Sequence, residues 1–287
     1  MNRQISLLQT PLVGLTSFDH PSEEPHEDPP AEQAGGFSVN FVLHGSFGLR
    51  IHRESWRMTP GQVFVTRPGL EYVCRHEEEH PTDVCLSLDY RQDPAEIGDS
   101  FWQAPRAEDN GRPVVPRSDR VGYLGWRLHR LLTSPTLDLE LEGTAAELWQ
   151  TVAMDEDRTE PVYREAQLAW YAERIDAARQ AMAAHCERDH SLRRLASDVA
   201  MSPFHFARVF RRLCGIPPHQ FLLQVRLRRA LERLRQGASV TEAGLDCGFN
   251  SPSYFSRLFC RRFGVPPSRF SELGKKVHAS GQVAGPY

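Results

Sequence analysis

Residues 202–221, SPFHFARVFRRLCGIPPHQF, are written almost again as SPSYFSRLFCRRFGVPPSRF at 251–270, 49 positions later. A duplicated twenty-residue unit restricts the fold strongly, because each copy must bury the same face in the same way. Read with the helical period, SLRRLASDVA (191–200) starts at a Ser cap and places Leu192, Leu195, Ala196 and Val199 on one face. Met201 and Ser202 break it. A second helix begins at Pro203, a residue suited to the first helical position, with Phe206, Val209, Phe210 and Leu213 inward. Phe204, His205, Arg208, Arg211 and Arg212 fall on its other faces, and Gly215 with Pro217 and Pro218 ends it.

The second copy repeats the plan. SVTEAGLDCGF (239–249) is followed by a turn at Asn250 and Ser251, and a helix from Pro252 turns Phe255, Leu258, Phe259 and Phe263 inward. Ser253, Tyr254, Arg257 and Arg261 form the outward set. Ala196 to Pro203 is seven steps and Gly244 to Pro252 is eight, so the extra residue falls in the turn. Two short helices joined by a tight turn, the second laden with outward Arg, describe a helix-turn-helix. Between the copies, PPHQFLLQVRLRRALERLRQG predicts one helix of roughly sixteen to twenty residues, about 24–30 Å long. Such a spacer can hold two reading helices about one turn of DNA, ~34 Å, apart.

Charge divides the chain at the same place. Residues 1–171 carry 15 Arg against 28 acids, net −13; residues 172–287 carry 19 Lys plus Arg against 9 acids, net +10. A basic, Arg-rich half suits a polyanion, and its field would draw nucleic acid away from the acidic half. The six cysteines are scattered, which fits free thiols in a reducing compartment, and no stretch approaches the ~20 apolar residues of a membrane span. The cytoplasm is the expected location.

Residues 172–272 resemble the DNA-binding domain of the AraC/XylS transcription regulators. The resemblance rests on Leu192, Leu195, Ala196, Ser202, Pro203, Phe206, Arg208, Phe210 and Gly215 in the first unit. In the second it rests on Val240, Gly248, Phe249, Ser251, Pro252, Tyr254, Phe255, Arg257, Phe259, Arg261, Phe263, Gly264, Pro266, Pro267 and Phe270. Two departures stand out. Ala243–Gly244 replaces the Ile–Ala of the family, which predicts a less well packed first helix in the second unit, and Ala207 replaces a polar residue. The resemblance implies two helix-turn-helix units that bind promoter DNA. Arg208 and Arg257 are the expected base or phosphate readers, with Arg211, Arg212 and Arg261 as phosphate contacts. Phe204 would touch a thymine methyl or cap the core.

The acidic half reads differently. Residues 19–36 are rich in Pro, Glu and Gly and predict a mobile arm. From 37 to 90, FSVNFVL, FGLRIHR, QVFVTR, LEYVCRH and DVCLSLDY alternate with period two between turn residues, predicting an antiparallel sheet closed into a small barrel; the order strand, Pro–Gly turn, strand in MTPGQVFVTRPGLEYVCRH resembles a cupin-like segment. Residues 91–116 read as coil. Helices follow over 118–132, capped by Ser118 or Asp119, and over 137–150. By resemblance these make a cupin-like sensor domain with a dimerisation pair. The fold class expected is α+β, with a cupin-like ligand-sensing and dimerisation domain over 1–160 and a helical linker over 161–180. The double helix-turn-helix domain spans 181–274, and a flexible tail 275–287.

One hairpin has chemical character. If YVCRHEEEHPTDVCLSLDY turns around Glu78–Pro81, Cys74 lies opposite Cys85 and His76 opposite Asp83, with His80 in the loop. Soft ligands at that spacing could hold a thiophilic metal or form a redox pair, so Cys74, His76, His80 and Cys85 are the candidate metal or thiol set. Catalysis finds less support: the His-x-His strand motif of cupin metal sites does not occur, and no partner orients Cys74 or Cys85 as a nucleophile. No cofactor is called for. The partners expected are double-stranded promoter DNA, a small-molecule effector of unknown identity, a second copy through residues 118–150, and RNA polymerase. A cupin enzyme and a helical scaffold for protein contacts are the remote alternatives.

Overall fold

The period-two sequence of the first third of the chain forms sheets, and the helical periods beyond it form helices. The computed structural model describes residues 3–20, 30–76, 83–94, 113–133, 138–153 and 160–271. They divide into two compact units, 1–169 and 170–287.

In the first unit the strands are β1 (Arg3–Gln9), β2 (Val13–His20), β3 (Glu32–Gln33), β4 (Phe37–His44), β5 (Phe47–Ile51), β6 (Glu54–Met58), β7 (Val63–Thr66), β8 (Glu71–His76), β9 (Asp83–Tyr90) and β10 (Val114–Val115). They form two antiparallel sheets, a six-stranded one ordered β1-β2-β9-β4-β7-β10 and a four-stranded one ordered β3-β8-β5-β6. Helices α1 (Asp119–Thr133) and α2 (Asp138–Ala153) complete the unit.

The six-stranded sheet is covered on both faces. On one, Val13, Leu15, Val39, Phe41, Leu86 and Leu88 share a core with Leu124 and Leu128 of α1 and Leu148 and Trp149 of α2. On the other, Val42, Phe64 and Cys85 meet Phe47, Leu49, Ile51 and Met58 of the second sheet. This double coverage explains why DVCLSLDY is buried almost throughout instead of at alternate positions. The expected barrel takes the form of two stacked sheets under a helical layer, with no hydrogen-bonded closure between the sheets among the described strands.

Capping positions the helices. Ser118 Oγ accepts from Val121 N at 3.1 Å at the start of α1, while the Asp119 carboxylate accepts from Val162 N and Tyr163 N at 3.1 and 3.2 Å. Residues 160–163 are thereby tied to α1. Tyr90 Oη donates to the Ala145 carbonyl at 2.8 Å, and the Tyr90 ring meets Trp149 edge to face. Burial pushes the Tyr90 hydroxyl pKa well above its usual range, so this donor keeps its proton.

The second unit is helical: α3 (Glu165–Ala184, which begins before the unit boundary), α4 (Leu192–Asp198), α5 (Pro203–Cys214), α6 (Pro218–Arg235), α7 (Val240–Asp246) and α8 (Pro252–Phe263). Aromatic rings organise its core: Phe206, Phe210 and Phe221 pack in sequence around the first copy, and Phe249, Phe255, Phe259 and Phe270 around the second. No helix among the described residues is long and apolar enough to cross a membrane.

Several expectations for the acidic half need correction. Asp19 and His20 finish β2, and Glu32 and Gln33 pair with Tyr72 and Glu71, so both ends of the supposed arm are strand. Its middle, 21–29, lies outside the described residues, as do most of the coil at 95–112 and the tail beyond 271. Five strands escaped the pattern reading: edge strand β1, which leaves Ile5 42% and Leu7 37% exposed, its neighbour β2, β6, whose ESWRM is largely exposed, and the two-residue strands β3 and β10, the last inside the segment read as coil.

Candidate nucleic-acid interface

The two copies build matching turns. In the first, Ala200 N donates to Ser197 O at 3.0 Å and Met201 N to Ala196 O at 2.8 Å; in the second, Gly248 N donates to Leu245 O at 2.9 Å and Phe249 N to Gly244 O at 3.0 Å. These paired closures satisfy the last carbonyls of α4 and α7 and pass through a left-handed residue, Ala200 or Gly248. The second turn is one residue longer before its capping Ser, as the seven-against-eight count predicts.

Each following helix then starts alike, with Ser202 or Ser251 at the N-cap and Pro203 or Pro252 inside the first turn, and ends at a left-handed Gly215 or Gly264. Ser251 Oγ accepts from Tyr254 N at 3.3 Å, whereas Ser202 makes no side-chain cap bond. Ahead of them, Ser191 caps α4, and Ser239 with Glu242 forms a reciprocal capping box on α7. The spacer α6 has 18 residues, about 27 Å of helix.

Burial separates inward from outward residues. Phe206, Val209, Phe210, Leu213, Phe255 and Phe259 are all fully buried, while Leu258 and Phe263 are only partly covered. Leu192 departs from expectation at 40% exposure. It lines, with Leu195, Ala207, Leu222 and Leu223, an open hollow of about 380 Å³. The Gly244 departure has a different consequence from the one predicted. A Cβ there would lie 3.1 Å from Phe255 Cδ1, so the ring fills the place of the missing side chain and no packing gap results.

The outward set stands where the pattern put it, with one exception. Phe204 is 90% exposed at the start of α5, and Arg208 and Arg211 are exposed beyond it. Ser253, Tyr254, Arg257 and Arg261 are exposed along α8, and Arg212 is partly covered. His205 turns inward instead: its ring nitrogen Nε2 lies 2.9 Å from Tyr171 Oη and Nδ1 lies 3.0 Å from Arg208 Nη2. Four acids of this unit are engaged away from these arginines. Glu173 pairs with Arg174, Glu187 with Arg188, Glu232 with Arg229, and Asp246 with Arg233. Sequence pattern could not find the Tyr171 contact, because it joins residues 34 positions apart on separate helices.

The Cys/His hairpin is not assembled as predicted. Strands β8 and β9 belong to different sheets: Cys74 pairs with Leu49 and His76 with Phe47, whereas Cys85 pairs with Val42 and Phe18, and Asp83 with His20. His80 lies outside the described residues. Cys85 is in the core between the sheets and Cys74 packs against it. Cys85 Sγ donates to Asp83 Oδ2 at 3.6 Å. Burial, then the negative charges of Glu32 and Asp83, pushes the Cys74 thiol pKa far up, and burial with Asp83 does the same to Cys85. Among the described residues no group of three or more His, Cys, Asp or Glu is placed to hold a metal ion.

A family model described as a helix-turn-helix domain matches residues 195–272, which span both copies and the helix between them. Residues 195–272 are a helix-turn-helix domain of AraC type. Within it, 59 residues are 44% identical to the bifunctional transcriptional activator/DNA repair enzyme Ada of Escherichia coli strain K12. That match covers 21% of this chain and 17% of Ada, so the chain spans only a small part of that relative's length. Among solved structures, a transcriptional regulator with an AraC-type DNA-binding domain from Chromobacterium violaceum is 29% identical, covering 36% of this chain and 92% of the other at a TM-score of 0.34. Unsaturated fatty acid-bound ToxT from Vibrio cholerae is 10% identical, covering 92% of this chain and 96% of ToxT, also at 0.34. The helix-turn-helix match covers both copies and the helix between them and does not extend to the first unit.

Proposed function

We propose that the chain is a transcription regulator that reads two successive major-groove segments with α5 and α8 and answers to a small molecule held in its first unit. The observation that carries the reading is the twofold occurrence of one surface. At the offset of 49, exposed Phe204 and Arg208 on α5 correspond to exposed Ser253 and Arg257 on α8, and partly covered Arg212 corresponds to exposed Arg261, each helix following a turn closed by the same pair of backbone bonds. Arg208 and Arg257 take base edges or the phosphates beside them, Arg211, Arg212 and Arg261 take phosphates, and Phe204 takes a thymine methyl. The field of net +10 over residues 172–287 speeds the encounter.

In the first unit the margin of the core between the two sheets is the proposed effector site. Asp83 is 1% exposed at its edge, and Tyr72 Oη donates to Glu32 Oε2 at 3.0 Å beside it. Ionisable groups at the margin of an apolar core suit a ligand with an apolar body and a polar end. Effector binding shifts the population of chains competent for DNA, and a pair of chains joined through 118–150 would present four reading helices to one promoter. RNA polymerase is the partner through which such occupancy would act.

The test is mapping of bound duplexes, genome-wide or selected from a random library, followed by binding of the selected duplex at fixed salt. Arg208→Ala with Arg257→Ala should abolish preference for that duplex while leaving the fold intact. Retained preference would assign the reading to other faces.

A further inference from the structure

We infer that Tyr171 is a positioning residue for DNA reading: through His205 it fixes the guanidinium of Arg208, so that the first reading helix is set from α3 and the second is not. The inference rests on the proposed role of α5 at DNA.

The direction of the hydrogen bonds follows from chemistry. A guanidinium only donates, so the 3.0 Å contact between Arg208 Nη2 and His205 Nδ1 requires Nδ1 to accept. The ring is then neutral with its proton on Nε2, and that N–H donates to Tyr171 Oη at 2.9 Å. Tyr171 also meets the imidazole edge to face, with centroids 5.3 Å apart and planes at 62°, and is itself only 8% exposed. The ring therefore has its orientation set at both nitrogens and against one face. It passes that orientation to Arg208, one turn further along α5.

An exposed Arg has several rotors, and immobilising it on binding costs conformational entropy. The contact to His205 uses one of five guanidinium donors and narrows that freedom beforehand. Comparison of the copies makes the arrangement specific to the first. At the repeat offset of 49, Arg257 corresponds to Arg208, but His205 is replaced by Tyr254, which is 42% exposed. Tyr171 lies on α3, two residues past the boundary between the two units.

The experiment uses the full-length chain and a duplex selected by it from a random library. Tyr171→Phe keeps the ring and removes only the hydroxyl. It should weaken binding roughly five- to tenfold and relax preference at the same base pair that Arg208→Ala relaxes, with thermal stability nearly unchanged. In a double-mutant cycle, Tyr171→Phe should add little once Arg208 is Ala, but should multiply fully with Arg257→Ala. Wild-type binding by Tyr171→Phe, or full multiplication with Arg208→Ala, overturns the positioning role alone. Unchanged binding by Arg208→Ala overturns the reading of α5 and this inference with it.

Discussion

Ala200 and Gly248 hold the same left-handed place in the two turns, at φ 54° and 83°. Only one of them is the residue that this conformation favours, and the two neighbourhoods differ. A Cβ on Gly248 would meet Glu187 O at 2.8 Å and Arg226 Cζ at 3.0 Å. Ala200 is exposed. Ala200→Gly should therefore raise stability by about 0.5 kcal/mol, the relief of left-handed strain less the added chain entropy. Gly248→Ala should lower it by about 2 kcal/mol or more, from strain and the backbone clash together. Urea unfolding of the two variants checks both signs.

DNA binding should depend on salt and on particular arginines. Arg208→Ala combined with Arg257→Ala should weaken binding of a selected duplex at least 30-fold, about 1–3 kcal/mol for each lost reader. Arg211→Ala should weaken all duplexes alike and reduce the slope of log affinity against log salt by about 1. Fluorescence anisotropy over a salt series separates the two behaviours.

The thiols of the first unit should be inert. Cys74 and Cys85 both have pKa values raised by burial and neighbouring carboxylates, so neither forms thiolate in the native state near neutral pH. Alkylation at pH 8 should leave both unmodified until denaturant is added, as peptide mass mapping can show. Rapid native labelling of either would revive the thiol-sensing reading.

Cys186 and Cys247 should behave in the opposite way. The Cys247 thiol donates to Cys186, which holds the Cys186 pKa at about 7, with Arg226 and Arg229 assisting against burial. The same bond pushes Cys247 upward. One thiolate should therefore appear as pH rises through about 7, followed by thiolate absorbance in the ultraviolet. Because the folded pKa of Cys186 is depressed, its share of stability grows as pH rises from there towards the ordinary thiol range and is lost as pH falls through about 7. Cys247→Ala should move the absorbance onset to higher pH.

The second half of the chain was more legible than the first, for a physical reason. Helix periodicity, Ser caps, Pro starts and Gly stops are local, so α4, α5, α7 and α8 could be read within three residues of their bounds. Strand partnership is not local. The run from Tyr72 to Tyr90 contains two strands and a natural turn, which suggested a hairpin, yet β8 and β9 leave for different sheets because each finds its partners far away in sequence. Edge strand β1 and exposed β6 bury too little to leave an alternating trace. At the proposed reading face, residue types gave Arg208 and Arg257, but the inward turn of His205 depends on Tyr171, which no motif connects to it.

Helices α1 and α2 turn Val121, Leu124, Leu128, Leu131, Leu141 and Leu148 towards the six-stranded sheet. Arg127 of α1, only 13% exposed, pairs with Glu147 of α2 at 3.0 Å, so the two helices are latched to each other by charge as well as to the sheet by apolar packing. Removing either partner would strand the other, and the helical layer would part at that latch before the sheet beneath it gave way.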